Sequence, residues 1–318
     1  MANYLIKKFL QFLLTLVGVA VLIFFLLRIV PGDIVEVKLL SDGASITPEI
    51  LAQERIRMGL NEPLLAQFFH WLTGLVRLDM GTSMWTGRPV MVEIAERLPT
   101  TIEVAVQAVI IGVIIALPLG ILASIRRGTA LDHGVRLFTV LGISLPGFWV
   151  GMLVQTLLLI SFGWLPPVLG VSLWSDPWGH ITQIGLPALV VGWRMSAVLT
   201  RMLRSSMLEV LEEDYVRTAK AKGVPKWGMI LGHALRNATL PTITVLGLDF
   251  AFLLSGMVVT EQVFNLNGVG KLLVQAVSQR DYTLIQGLVM MFAVSFVTIN
   301  LVIDMLYAVL DPRVRSQR

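Results

Sequence analysis

A mostly apolar run extends from Phe9 to Val30, with Arg28 at its edge as the only charge. About 20 such residues in a helix cross a hydrocarbon core about 30 Å thick. Five more runs of this kind lie at about 99–125, 135–161, 181–203, 238–260 and 283–309, the fourth weakened by Arg194. The pattern predicts an all-α polytopic membrane protein with six transmembrane helices. Pro118, Pro146 and Pro187 fall inside the runs and are read as kinks, since neighbouring helices in a membrane bundle re-satisfy the carbonyls that a proline frees. Lys7 and Lys8 precede the first run as they would in a signal peptide. The run is longer than the roughly 7–15 residues of a signal h-region and has no small-residue cleavage site. It leads into Val30-Pro31-Gly32-Asp33 and is read as a retained span behind a short N-terminus, residues 1–8.

Two polar stretches are long enough to fold by themselves. In residues 31–98, Thr47-Pro48 and Asn61-Glu62-Pro63 have the form of helix starts, so a small helical segment is expected after the first span. Its Phe68, Phe69 and Trp71 either contact a partner or pack on the lipid interface or the top of the bundle, and packing is the preferred reading. In Ser205–Asn237, Met207, Leu211, Tyr215 and Ala219 recur every four residues while Glu209, Glu212, Glu213, Asp214, Arg217, Lys220 and Lys222 fill the other faces. That spacing predicts an amphipathic helix. Gly223 and Pro225 end it, and Lys226-Trp227 begins a second short helix leading to Leu240-Pro241. The pattern alone leaves two readings, a docking element or a charged loop holding two spans together.

Composition narrows the class. Hydrophobic residues make up 55% of the 318 positions and charged ones 14%, against about 25% charged in soluble domains, and the mean hydropathy is +0.78. These values exclude disorder and an ordinary soluble fold. The absence of cysteine rules out disulfides, thiolate metal sites and a cysteine nucleophile. A net charge of +4 and a pI near 9.6 would also fit a nucleic-acid binder, so the placement of the charges decides. With the N-terminus inside, 15 of the 25 basic residues fall in cytoplasmic segments, from Lys7 and Lys8 through Arg126, Arg127, Arg136 and the 201–236 cluster to Arg313, Arg315 and Arg318. Six of the eight outer ones sit in the long 31–98 stretch, where the positive-inside rule is weak. Both termini are therefore placed in the cytoplasm, and no basic face remains for nucleic acid.

Catalytic chemistry is sparse. No phosphate-binding G-x-x-x-x-G-K-[ST] loop is present, so ATP chemistry would have to reside in another subunit. None of the four histidines has an i, i+4 metal-ligand partner. Ionisable residues within spans are functional candidates by default; Arg194 and Asp249 are the deepest, with Asp304 nearer the inner end and Glu103 nearer the outer. An ion-coupled secondary carrier using Asp249 or Arg194 is the alternative to an ATP-driven system. Against it, the inverted repeat common in such carriers is not evident.

Several blocks resemble the inner-membrane permease of binding-protein-dependent ABC importers, in the dipeptide/oligopeptide/nickel branch, and more the first of its two permeases than the second. They are Phe25-Leu26-Leu27-Arg28-Ile29-Val30-Pro31-Gly32-Asp33, Met58-Gly59-Leu60-Asn61-Glu62-Pro63, Leu78-Asp79-Met80-Gly81-Thr82-Ser83, Leu98-Pro99-Thr100-Thr101-Ile102-Glu103, Ser144-Leu145-Pro146-Gly147-Phe148-Trp149 and Asp304 through Arg313. The most specific is Asp214-Tyr215-Val216-Arg217-Thr218-Ala219-Lys220-Ala221-Lys222-Gly223, continuing to His233-Ala234-Leu235-Arg236-Asn237 and Leu240-Pro241. It is similar to the family's cytoplasmic loop that begins Glu-Ala-Ala with a glycine four residues later. The triplet here is Arg217-Thr218-Ala219 and the interval to Leu240-Pro241 is longer, as is usual in the peptide branch.

The resemblance implies a type I importer permease fold, with a core at 99–309, a coupling loop at 205–237 and a cytoplasmic tail at 310–318, in a bacterial-type inner membrane. It implies a second homologous permease, two cytoplasmic ABC ATPases and an external substrate-binding protein as partners. ATP-Mg would be held by the ATPases and no cofactor by this chain, which would itself not be an enzyme. Asp214, Tyr215, Arg217, Thr218, Ala219, Lys220, Ala221, Lys222 and Gly223 would form the contact with the ATPase, and di- or oligopeptides would be the cargo. Trp149, Gln155 and Asp249 are pathway candidates, with helix–helix packing the competing reading for the first two.

Overall fold

The computed structural model describes residues 2–29, 34–41, 47–57, 59–165 and 174–310. The Val30–Asp33 end of the first motif, Met58 and the basic tail at 311–318 lie outside the described residues. The chain divides into two units, 1–99 with 268–297, and 100–267 with 298–318.

The first unit contains α1 (Ala2–Ile29), α2 (Ile34–Ser41), α3 (Pro48–Arg57) and α4 (Leu64–Val76). It also holds the first turns of α5 (Val90–Ile125), a helix α12 (Val269–Ser278) and most of α13 (Tyr282–Leu310). Its core is formed by Ile23, Leu27, Val90, Ile94, Leu272 and Leu288, with Trp71 packed against them. Phe24 is fully buried and meets Phe68 edge-on at 5.1 Å, so Phe68 and Trp71 pack inward while Phe69 remains exposed. A buried carboxylate joins the two sequence-distant parts of the unit. Asp281 accepts hydrogen bonds from Ser83 Oγ at 2.5 Å and from the backbone N–H groups of Met84, Trp85 and Leu284.

The second unit contains the rest of α5, then α6 (Ala130–Ser144), α7 (Gly147–Phe162) and α8 (Pro177–Leu211). These are followed by α9 (Asp214–Ala221), α10 (Lys226–Leu254), α11 (Val258–Val263) and the end of α13. Helix α8 packs against α6 and α10, and α7 packs against α11. Small residues permit the close approach: a Cβ on Gly142 would lie 2.6 Å from that of Ala197, and one on Gly192 would lie 2.9 Å from the Ala108 carbonyl.

Among the described residues, five helices are long and apolar enough to span a bilayer, and α6 with α7 make a sixth candidate as a pair bent by 100°. The expected continuous span at 135–161 is thus two helices. Pro146 has no N–H to donate and disfavours helical backbone at the residue before it; Leu145 is extended at φ −80°, ψ 129°, and the Pro146 carbonyl instead accepts from Val150 N to start α7. Pro187 and Pro241 sit inside continuous helices. The run expected to reach 260 stops at Leu254, because Gly256 takes φ +103° and α11 begins anew. The short helix expected at Lys226 is the first part of α10, joined to the following span by a stretch of wider π-type turns at 229–234.

Candidate functional site

Helix α9 stands between two breaks in regular structure. Helix α8 carries Met207, fully buried beside Leu203, Ile230 and Ala234, and ends at Leu211. Glu213 is then extended at φ −68°, ψ 146°, and α9 starts at Asp214. This break corrects the expected four-residue ladder through Met207, Leu211, Tyr215 and Ala219. The turn resets the helical phase, so Val216 is the residue that α9 buries, at 3% exposure, while Tyr215 is 40% exposed. The helix rests against α8 and the π-type turns of α10. Asn237 Nδ2 donates to Tyr215 Oη at 2.7 Å and adds a second tie to α10.

The other end of α9 closes in a Schellman motif. Val224 N–H donates to the Ala219 carbonyl at 3.2 Å and Gly223 N–H to the Lys220 carbonyl at 3.1 Å, satisfying two of the carbonyls a helix end leaves open. Gly223 reaches this geometry at φ +79°, with open space where a Cβ would point. Its glycine is required here by backbone conformation, since L-residues pay about 1–2 kcal/mol in the left-handed region. Within the chain nothing presses on its Cα.

Asp214, Arg217, Thr218, Lys220, Ala221 and Lys222 are exposed and Ala219 is half-buried. Their internal bonds are few: Arg217 meets Asp214 at 3.4 Å, with 71% and 96% of the side chains exposed, and Thr218 Oγ1 donates to the Asp214 carbonyl. The result is a short rigid peg with cations on its outer surface and one apolar anchor beneath.

The pathway candidates are not joined to one another by any hydrogen bond or ion pair among the described residues. Gln155 Nε2 donates to the Val263 carbonyl at 3.3 Å, a helix-packing contact between α7 and α11. Trp149 is 43% exposed. Asp249 is half-buried and within electrostatic range of Arg194.

The sequence reading missed three polar contacts of the second unit, two of them made by fully buried carboxylates. Asp132, fully buried, accepts from Arg204 Nε at 2.7 Å and from Arg204 Nη2 at 2.9 Å, from Arg136 Nη2 at 3.0 Å and from Gly128 N at 3.0 Å. Glu261, also fully buried, accepts from Thr101 Oγ1 at 2.6 Å. His180 has its Nε2 2.6 Å from Glu103 Oε1. Only the Gly128 and Arg136 contacts of Asp132 are local, each four residues away; the other partners are 72, 160 and 77 residues apart in sequence. Among the described residues no group of three or more His, Asp or Glu is placed to hold a metal ion.

Residues 116–316 match the family described as binding-protein-dependent transport system inner membrane component. Residues 1–105 match the corresponding N-terminal family. The glutathione transport system permease protein GsiC of Salmonella choleraesuis (strain SC-B67) is 41% identical over 315 residues, covering 99% of each chain, and that of Escherichia coli (strain K12) is 40% identical with the same coverage. Among solved structures, one described as the crystal structure of an amino acid ABC transporter with histidines aligns with 70% of this chain and 94% of its own, at a TM-score of 0.49 and 15% identity. With two family matches spanning its length and relatives at about two identities in five throughout, the chain belongs to the inner-membrane permease subunits of binding-protein-dependent ABC importers.

Proposed function

We propose that this permease forms half of the translocation pathway of an importer for short peptides, and that α9 with Gly223 is its contact with a cytoplasmic ATPase. The other half of the pathway would be a second, homologous permease. Two ATPase subunits would hold ATP-Mg, an external binding protein would deliver cargo, and both termini of this chain would lie in the cytoplasm. Support for the cargo class comes from the full-length similarity to glutathione transport permeases, glutathione being a tripeptide. The observation that carries the coupling assignment is the combination in α9 of exposed Arg217, Lys220 and Lys222 with a single buried anchor, Val216. These cations are presented outward on a capped, rigid helix, where Arg217 meets only the equally exposed Asp214 at 3.4 Å.

In this mechanism ATP binding closes the ATPases and draws the coupling helices of the two permeases together, opening the pathway outward. The binding protein unloads, and hydrolysis resets the inward state. Energy enters at α9 because a two-state bundle is shifted only by contacts that differ between its states.

The test is co-purification of the complete importer, followed by ATPase and uptake assays in vesicles with and without the binding protein. Stimulated ATPase activity in the native complex, together with loss of uptake but retained membrane insertion in Gly223→Val, is the expected result. Normal uptake by that variant sinks the coupling assignment. Uptake driven by a proton gradient without ATP would overturn the whole reading and return attention to Asp249 and Arg194.

A further inference from the structure

The first unit carries an open cleft of about 750 Å³ bordered by residues of α1, α4 and α13 together with the 59–62 and 79–84 turns. That is within the roughly 300–1,000 Å³ of small-molecule sites. Its lining is unusual in its hydrogen bonding. Five buried side-chain polar atoms among the described residues have no partner, and three of them, Trp71 Nε1, Tyr282 Oη and Gln286 Nε2, belong to residues that line this one cavity. Gln286 is only 5% exposed. An orphaned buried donor costs about 1–3 kcal/mol, and most native side chains avoid it; three around one space are not a packing accident of a single side chain.

Arg28 completes the set. Its guanidinium stacks 3.4 Å from the centroid of the Phe24 ring and donates to the Phe24 carbonyl and the Gln67 side-chain oxygen. Among the described residues it makes no ion pair, although it lines the cavity. Indole N–H, amide NH₂ and guanidinium are donors only, and the phenol O–H can donate. The complementary ligand therefore offers acceptor oxygens and negative charge, which describes a carboxylate. Two carboxylates, Glu62 and Asp79, also border the space. Each has one oxygen engaged, Glu62 with His70 Nδ1 at 3.1 Å and Asp79 with Gly81 N at 2.9 Å. They suit an ammonium group on the same ligand and disfavour a simple polyanion.

From this arrangement we infer that the cleft is a holding site, inside one permease subunit, for a small zwitterion of the peptide class whose free carboxylate is received by Arg28 and, once their side chains turn to expose the covered donors, by Trp71, Tyr282 and Gln286. The inference rests on the peptide reading of the cargo and adds to it a place where this chain itself recognises the C-terminal group.

The full-length chain in lipid nanodiscs, titrated with trialanine and with trialanine amide by tryptophan fluorescence and thermal shift, provides the test. Trialanine is expected to bind and raise the melting temperature, and the amide, lacking the carboxylate, to bind at least about tenfold more weakly. Gln286→Leu removes an orphan donor while keeping the volume nearly constant, and Trp71→Phe removes another at the loss of one packed ring. Each should weaken trialanine binding about tenfold, and Gln286→Leu should not lower the melting temperature of the ligand-free chain. Equal affinity for acid and amide, unchanged affinity in both variants, or no binding by a chain whose assembled importer moves trialanine would each overturn the site. If the assembled importer moves no peptide, it is the cargo reading that fails, and the nanodisc titration still decides the cavity.

Discussion

Asp132 and Asp214 occupy the same local position: each lies in the first turn of a helix with an arginine within the next turn, Arg136 after one and Arg217 after the other. Helix dipoles favour an acid at either place. In the fold they diverge completely. The Asp132 side chain is 0% exposed and is reached by Arg204 from α8 at 2.7 Å, whereas Asp214 is 96% exposed and its arginine stands 3.4 Å away. The contrast separates two uses of charge. One carboxylate is consumed in fastening α6 to α8, and the other remains on an outward surface where only something outside the chain can use it.

Substitutions can break that comparison. Asp132→Asn should have the largest effect, a loss of about 3–5 kcal/mol, because removing one member of a buried pair strands the other; thermal unfolding of the purified chain in detergent reads it directly. Gly223→Ala comes next, at about 1–2 kcal/mol, from forcing an L-residue to φ +79° in the αL region. Trypsin cleavage after Lys220 and Lys222 should rise with it as the end of α9 frays. Arg217→Gln should be smallest, leaving the melting temperature within about 1 °C since exposed pairs contribute little, while ATPase stimulation in the assembled importer falls. A melting loss for Arg217→Gln as large as that for Asp132→Asn would abolish the distinction between the two acids.

How much could be read in advance varied with the range of the interaction. Hydropathy located the apolar runs, because burial in lipid acts on each residue of a run independently. The fate of individual prolines was not legible: Pro146 breaks its helix into a 100° bend while Pro187, buried in α8, and Pro241, in α10, do not. The motif hides this, since a proline's effect depends on whether neighbours compensate its missing N–H. In the candidate coupling segment, the helix and its glycine stop were visible in the sequence. Its buried face was misassigned because the extended Glu213 shifts the phase by a turn that no four-residue spacing reveals. The cavity of the first unit had no sequence signature, as Arg28, Trp71 and Gln286 come from three distant segments and only Arg28 fell within a recognisable motif.

The sequence alone determined the helical, membrane-embedded class, the number of apolar runs and the amphipathic stretch ending at Gly223, all properties set by a residue's own chemistry and its neighbours within a turn or two. Tertiary structure alone decided which charges are spent and which are left. Arg204 against Asp132 and Thr101 against Glu261 depend on bringing residues tens to hundreds of positions apart within about 3 Å, as an interaction of hydrogen-bond range demands.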